Sequence, residues 1–291
     1  MDFDHTENKD SNETLDSYWT PERKKNAKPR AYDGRSWADR EPKEVVPGDP
    51  KTYPGQEPID KKQEFALFQG TIPVLNPTEF PWCTTGKLFL RLGGVDGYGG
   101  ACVIGKNLLL TAAHLLYDAS TEEWSSHIRF EPAYANGKQP FGYWYCEKSF
   151  VPEGWSKGLG LSYDLGVVRT KKGGLKELDV GDVVGCLEYK VNCSTKGQWY
   201  EVGYPHNHFE GELMMMDLGW LVSEVDDDKI IGKNSSFGRG ASGSPWLEYP
   251  VTNNVVNGCT SHSDDDRGGE AYSVYFADWV KEFIGKCRDY P

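Results

Sequence analysis

From about residue 68 onward, short apolar runs alternate with turn-forming residues. The clearest runs, rich in Leu, Val, Tyr and Phe, are residues 87–92, 107–110, 166–168 and 199–202. Runs of this length between Gly, Asn and Asp turns predict β-strands. A strand-dense sequence is typical of a β-sandwich or of β-barrels. Only residues 276–284, whose apolar side chains fall on one face, are predicted as a helix.

The first 65 residues differ in composition from the rest of the chain. Charged and polar residues dominate there, together with seven prolines. Such a segment buries too little apolar surface to offset the entropy lost on ordering. We therefore expect a folded domain over 66–291 and, over 1–65, a flexible tail, a pro-segment, a targeting arm or an arm lying on the domain. This segment is predicted to be dispensable for the fold.

A candidate nucleophile lies in the sequence Gly240-Ala241-Ser242-Gly243-Ser244-Pro245. Amide hydrolysis by a serine needs an exposed hydroxyl on a tight turn and backbone N–H groups directed at the developing oxyanion. Gly240 permits a backbone geometry that leaves its N–H free, and Gly243 lets the chain turn directly after the serine. Alone, the pattern is weak, since Ser and Gly also cluster in ordinary loops.

Two further motifs supply the partners that such a serine requires. An apolar run ends in Thr111-Ala112-Ala113-His114, and His114 could act as the general base. Asp164 precedes the apolar run 165–168, where a carboxylate could accept the histidine Nδ1–H and fix its tautomer. The three residues occur in the order His, Asp, Ser.

Together these motifs resemble those of the chymotrypsin-like serine peptidases. The Ser-Gly-Ser-Pro ending and Ala241 are closer to the bacterial glutamyl-endopeptidase branch than to trypsin, over roughly residues 80–286. The resemblance implies two antiparallel six-stranded β-barrels with a C-terminal helix. It also implies a triad of His114, Asp164 and Ser242, with an oxyanion hole formed by the N–H groups of Gly240 and Ser242.

The resemblance also implies the walls of a specificity pocket. They are Ser236, Phe237, Thr260, Ser261, His262, Ser263 and Ser273. No acidic residue falls at the pocket base, as a trypsin-like preference would need. Thr260 takes the slot where glutamyl endopeptidases resemble each other in having a histidine, and His262 is about two residues out of register. An uncharged P1 residue is therefore predicted, with Glu as the alternative.

The chain departs from the trypsin pattern at two places. Ala241 stands where trypsin-like zymogens have the aspartate that pairs with a newly cut N-terminus, so that activation switch is absent. Leu115 follows the histidine where a cysteine is common, which leaves Cys102 without its usual neighbour. The seven cysteines are scattered and contain no C-x-x-C pair, so reduced thiols are favoured and one or two disulfides remain open.

Charge and hydropathy limit the partners. The net charge is −12, from 32 Lys and Arg against 44 Asp and Glu. This balance disfavours nucleic acid, because phosphate neutralisation needs basic residues. No run is long and apolar enough for a membrane span. The acidic start does not resemble a Sec signal peptide, which leaves a cytoplasmic protein, export by another route, or a missing leader as the alternatives. No metal or organic cofactor is expected, and the oligomeric state stays open.

Two functions of different class remain. The first is a serine endopeptidase that cleaves protein or peptide substrates through an acyl-enzyme intermediate. The second is a binding module on a protease fold, catalytically silent or inhibited by its own tail, since fold does not fix function. Because every triad position carries the required side chain, the enzyme is favoured.

Overall fold

The computed structural model describes residues 1–32, 51–53, 70–225, 230–249, 254–263 and 269–291. Its N-terminal elements are β1 (Phe3–Glu7), α1 (Asn12–Tyr18), α2 (Pro21–Asn26), β2 (Lys28–Pro29), β3 (Lys51–Tyr53) and β4 (Thr71–Pro73). Ser11 and Thr20 cap the two helices, each accepting a hydrogen bond from the backbone three residues on. Leu15 and Trp19 of this segment are buried with the main core, so residues 1–32 form an arm lying on the domain.

The first barrel follows the arm. Its elements are β5 (Thr85–Leu92), β6 (Val95–Gly105), β7 (Leu108–Thr111), β8 (Tyr117–Asp118), β9 (Glu123–Trp124), β10 (Ser126–Pro132), β11 (Trp144–Pro152), α3 (Glu153–Ser156) and β12 (Gly166–Thr170). Six of these strands close on themselves in the order β5-β6-β7-β12-β11-β10, with every neighbouring pair antiparallel. β8 and β9 form a separate hairpin.

The second barrel is built in the same way. The remaining elements are α4 (Val180–Val184), β13 (Glu188–Val191), β14 (Gln198–Gly203), β15 (Met215–Val225), β16 (Ile230–Ser235), β17 (Pro245–Glu248), β18 (Val255–Ser263), β19 (Gly269–Val274) and α5 (Asp278–Asp289). The strands close in the order β14-β15-β16-β19-β18-β17. The prediction of two six-stranded barrels with a C-terminal helix is therefore confirmed.

Strands from outside the barrels extend both sheets. In the arm, β1 pairs antiparallel with β11, and β2 pairs parallel with β6. In the second sheet, β3 pairs with β13 and β4 with β15. Part of the N-terminal segment thus supplies strands to both sheets.

The predicted strands and helix occur at the expected places with shifted ends. The run 166–168 lies in β12, all of whose five residues are buried. The helix α5 begins at Asp278 and continues to Asp289. Its buried residues are Val280, Phe283, Ile284 and Cys287. Phe276 is buried but precedes the helix, so the apolar stripe is displaced toward the C-terminus.

Candidate active site

His114 lies where the first barrel turns away from β7. A single 3₁₀ turn, Ala113–Leu115, follows the strand and leaves the imidazole only 8% exposed. The backbone N–H of His114 donates to Oδ1 of Asp164 at 2.9 Å, and its Nδ1 lies 2.8 Å from Oδ2. One carboxylate therefore holds both the main chain and the ring of this histidine.

Asp164 occupies the turn that enters β12 and is fully buried. Its Oδ2 also accepts a hydrogen bond from the Ser261 hydroxyl at 2.5 Å. Burial alone would raise the pKa of the Asp164 carboxyl, but the contacts with His114 and Ser261 outweigh it and hold that pKa below its usual value. The sequence placed Ser261 in the pocket wall, and no pattern revealed that its hydroxyl contacts Asp164.

Ser242 lies on a turn with a glycine of positive φ before it and another after it. Gly240 and Gly243 have φ angles of 89° and 82°, where side chains are strained. A Cβ on Gly243 would lie 2.1 Å from the carbonyl oxygen of Gly100. In turn, the carbonyl of Ser242 accepts a hydrogen bond from the Gly100 N–H at 2.7 Å. The turn of the second barrel is thereby fixed against β6 of the first.

The Ser242 side chain is 3% exposed, and its hydroxyl lies near two carbonyl groups. The oxygen of Ser261 is 3.5 Å from Oγ, and that of Arg30 is 3.3 Å away. The Gly240 N–H donates to the same Arg30 oxygen at 3.0 Å. The Gly240 N–H and the Ser242 hydroxyl, both predicted to act on a substrate carbonyl, thus converge on the carbonyl of Arg30 in the arm. Sequence reasoning missed Arg30, because main-chain contacts leave no residue pattern.

The first two pocket residues lie just before the serine turn. The Ser236 side chain contacts the hydroxyl of Thr71, and its Oγ lies 3.2 Å from Nε2 of His208. Phe237 is fully buried and packs with Met215 and Ala241. Its aromatic ring is therefore part of a small apolar cluster at the base of the serine turn.

The other predicted wall residues lie on the paired strands β18 and β19. His262 stacks on the ring of Tyr272, with 4.6 Å between centroids, and burial lowers its pKa to about 4. The hydroxyl of Ser273 donates to the carbonyl of Val274 and accepts from the N–H of Cys259. Ser263 pairs with Ala271 at the end of β18.

Thr260 connects the pocket wall to a buried charge pair that the sequence did not reveal. Its hydroxyl donates to Oε1 of Glu201 at 2.6 Å. Oε2 of Glu201 lies 2.9 Å from Nζ of Lys233 and accepts from Ser235 at 2.7 Å. Both charged side chains are fully buried. The carboxylate and the ammonium neutralise each other, as buried charges require.

Three further observations bear on chemistry. All seven cysteines are free thiols, and burial raises the pKa of Cys83 to about 12. Within the described ranges, no group of three or more His, Cys, Asp or Glu side chains is arranged to hold a metal ion. The helices found there are too short or too polar to cross a bilayer.

Known proteins that are similar to this chain include peptidases. No family model matches the chain. It is 25% identical over 205 residues to the glutamyl endopeptidase of Bacillus licheniformis. The alignment covers 69% of this chain and 60% of the relative. The chain thus spans less than two thirds of that relative's length.

Solved structures show the same fold. The protease Anisep from Arthrobacter nicotinovorans aligns with a TM-score of 0.64 and 22% identity over 69% of this chain and 94% of its own. The thermostable serine protease AL20 gives 0.65 and 18%, over 72% and 98%. A Glu endopeptidase in complex with MPD gives 0.63 and 19%, over 76% and 97%. The fold is chymotrypsin-like, and the resemblance to the serine peptidases near the glutamyl-endopeptidase branch is confirmed.

Proposed function

We propose that this chain is a serine endopeptidase with Ser242 as nucleophile, His114 as general base and Asp164 as the carboxylate that orients the base. The observation that carries the proposal is the convergence of the Gly240 N–H and the Ser242 hydroxyl on one carbonyl oxygen. A site that binds a peptide carbonyl beside a carboxylate-held imidazole suits acyl transfer.

The proposed reaction passes through an acyl-enzyme. Oγ of Ser242 attacks the substrate carbonyl carbon while its proton moves to Nε2 of His114. The oxyanion is stabilised by the N–H groups of Gly240 and Ser242. His114 then gives the proton to the leaving amine as the C–N bond breaks. Water, deprotonated by His114, releases the acyl group and regenerates Ser242.

The lowered pKa of Asp164 supports its role. A carboxylate that stays ionised keeps the proton on Nδ1 of His114, so Nε2 presents a lone pair to the nucleophile. It also stabilises the imidazolium that forms during attack. Because Ser261 donates to the same carboxylate, we assign Ser261 a positioning role in addition to its place in the predicted wall.

For the P1 residue we propose an uncharged side chain. None of the seven predicted wall residues carries a charge near neutral pH, since burial lowers the pKa of His262 to about 4. The nearby Lys233 is neutralised by Glu201. Glu remains the alternative, because the curated relative is named a glutamyl endopeptidase. A cleavage profile on a peptide library separates the two.

Labelling with a fluorophosphonate tests the mechanism without knowledge of the substrate. We expect a single adduct on Ser242, found by mass spectrometry, and its loss in Ser242→Ala together with all peptide cleavage. Ser156→Ala, at a half-buried serine of α3 outside the proposed site, serves as the control. An adduct on Ser244 or Ser261, or a fully active Ser242→Ala, would refute the assignment. Chelators should leave the activity intact.

A further inference from the structure

The carbonyl of Arg30 occupies the position where the proposed reaction needs its oxyanion. It accepts from the Gly240 N–H at 3.0 Å and from Oγ of Ser242 at 3.3 Å. No substrate carbonyl can use these two groups while Arg30 holds them. The contact is made by the chain's own main chain, so it does not depend on an added ligand.

No hydrogen bond joins the side chains of Ser242 and His114 in this structure. Nε2 of His114 is buried and has no hydrogen-bond partner in the part of the chain that the structure describes. The Ser242 hydroxyl donates to carbonyl oxygens instead. General-base activation needs the serine proton within hydrogen-bond reach of Nε2, and with the strap in place the Ser242 hydroxyl is directed to Arg30 instead.

Residues 28–32, which we call the strap, are held in the cleft by the first barrel. The Arg30 N–H donates to the carbonyl of Tyr98 at 3.0 Å, continuing the β2–β6 pairing. Nη2 of Arg30 donates to the carbonyls of Leu92 and Val95 at 2.7 and 2.9 Å. Beyond it, the ring of Tyr32 lies 6.0 Å from the imidazole of His114, beside a cavity of about 290 Å³.

Upstream, the strap is attached to the helices of the arm, which are anchored in the protein interior. Leu15 and Trp19 are buried with the main core. Nζ of Lys24 lies 3.1 Å from Oε1 of Glu131, and both side chains are inaccessible or nearly so. A segment fixed in this way is present at its site at a high effective concentration.

The pose of the strap differs from that of a substrate. In a substrate, the residue whose carbonyl enters the oxyanion hole sends its side chain into the specificity pocket, whose predicted walls all belong to the second barrel. Arg30 instead sends its side chain to the carbonyls of Leu92 and Val95 on the first barrel. The strap therefore blocks the site without being aligned for cleavage.

We propose that residues 28–32 are an autoinhibitory strap, and that the protein becomes active only when the strap leaves the cleft. The proposal rests on the proposed function above. In the proposal, the resting site is occupied by an internal peptide segment, which is bound through its backbone and through the Arg30 guanidinium. Displacement by a substrate or partner, or removal of the arm, would then switch the enzyme on.

The test uses the full chain and the variant Arg30→Ala. Loss of the two guanidinium hydrogen bonds should raise the rate of fluorophosphonate labelling at Ser242 by about tenfold or more. Tyr32→Ala is a second route to the same result, in case the first variant folds poorly by circular dichroism. Arg288→Ala, which removes an exposed arginine of α5, should label at the wild-type rate.

Hydrogen exchange at the Gly240 amide reports strap docking independently of activity. The amide should be protected in the wild type and should exchange about tenfold faster in Arg30→Ala. If the wild type and Arg30→Ala show equal exchange at Gly240 and equal labelling at Ser242, the proposal of an autoinhibitory strap is refuted. Faster exchange with no labelling in any variant would support the strap and refute the peptidase mechanism instead.

Discussion

The anchoring of the arm can be tested at Trp19. This residue caps the end of α1 and is 3% exposed. Its indole packs against Phe89 with ring centroids 5.4 Å apart, and its Nε1 donates to the carbonyl of His127. Trp19→Ala removes both contacts at once and leaves the proposed catalytic residues untouched.

The size of the effect follows from that burial. Replacing a buried tryptophan by alanine costs about 3–5 kcal/mol. If the arm opens as a unit while the barrels stay folded, its opening constant should rise by about two to four orders of magnitude. Because opening of the arm also releases the strap, labelling of Ser242 should accelerate as well, up to the rate of the fully open protein.

Hydrogen exchange followed by mass spectrometry measures this directly. Amides within the arm, such as those of Trp19 and Lys24, which bond to Leu15 and Thr20, should exchange much faster in the variant. Those of β7 and β12, which pair with no strand of the arm, should stay unchanged. Lys25→Ala, an exposed change on the same arm, is the control. Equal acceleration in arm and barrel would refute the reasoning, because the two would then unfold as one cooperative unit.

Three further outcomes are expected. Because burial lowers the pKa of His262 from 6.5 to about 4, folding stability should fall by up to about 2.5 kcal/mol between pH 7 and 4.5, and His262→Phe should reduce that loss in urea titrations. Ser261→Ala should slow labelling of Ser242 about tenfold and move the acid limb of the pH–rate profile upward, since a donor that lowers the pKa of Asp164 is gone. Glu201→Gln should cost up to about 3–5 kcal/mol by removing the nearer carboxylate of Lys233 and leaving only Asp217 at 3.9 Å, and the double variant with Lys233→Met should recover part of it in the same assay.

The barrels were predictable because strands leave a local signal. The run 166–168 is apolar on both faces, and β12 is buried on both faces. The closing pairs, such as β11 with β12, were not derivable from the residues, because pairing depends on which distant strands meet. These pairings were predicted only because the motifs resemble those of a family whose strand topology is known.

The candidate site was predictable only where side chains define it. His114, Asp164 and Ser242 stand in motifs that chemistry explains, and the structure places His114 against Asp164 at 2.8 Å. The Glu201–Lys233 pair gave no signal, since its partners lie 32 residues apart on strands of ordinary composition. A buried charge can be recognised only once its surroundings are known.

The arm shows the limit of an argument from composition. Its charged, Pro-rich sequence predicts too little apolar surface to be ordered by itself. Two of its apolar residues, Leu15 and Trp19, are nevertheless buried in the core, and Lys24 is buried against Glu131. A segment that cannot bury enough surface by itself can still be ordered by its contacts with the domain.

An oxyanion hole recognises a main-chain carbonyl and not a side chain, so a segment attached to the same chain is a natural competitor for it. If the strap is open only a fraction of the time, the apparent affinity for substrate falls by that fraction, so 1% open means about a hundredfold weaker apparent binding. The strength of inhibition is then set by the anchors, Trp19 and Lys24, rather than by Arg30 alone. Changes far from the cleft should therefore control activity as strongly as changes within it.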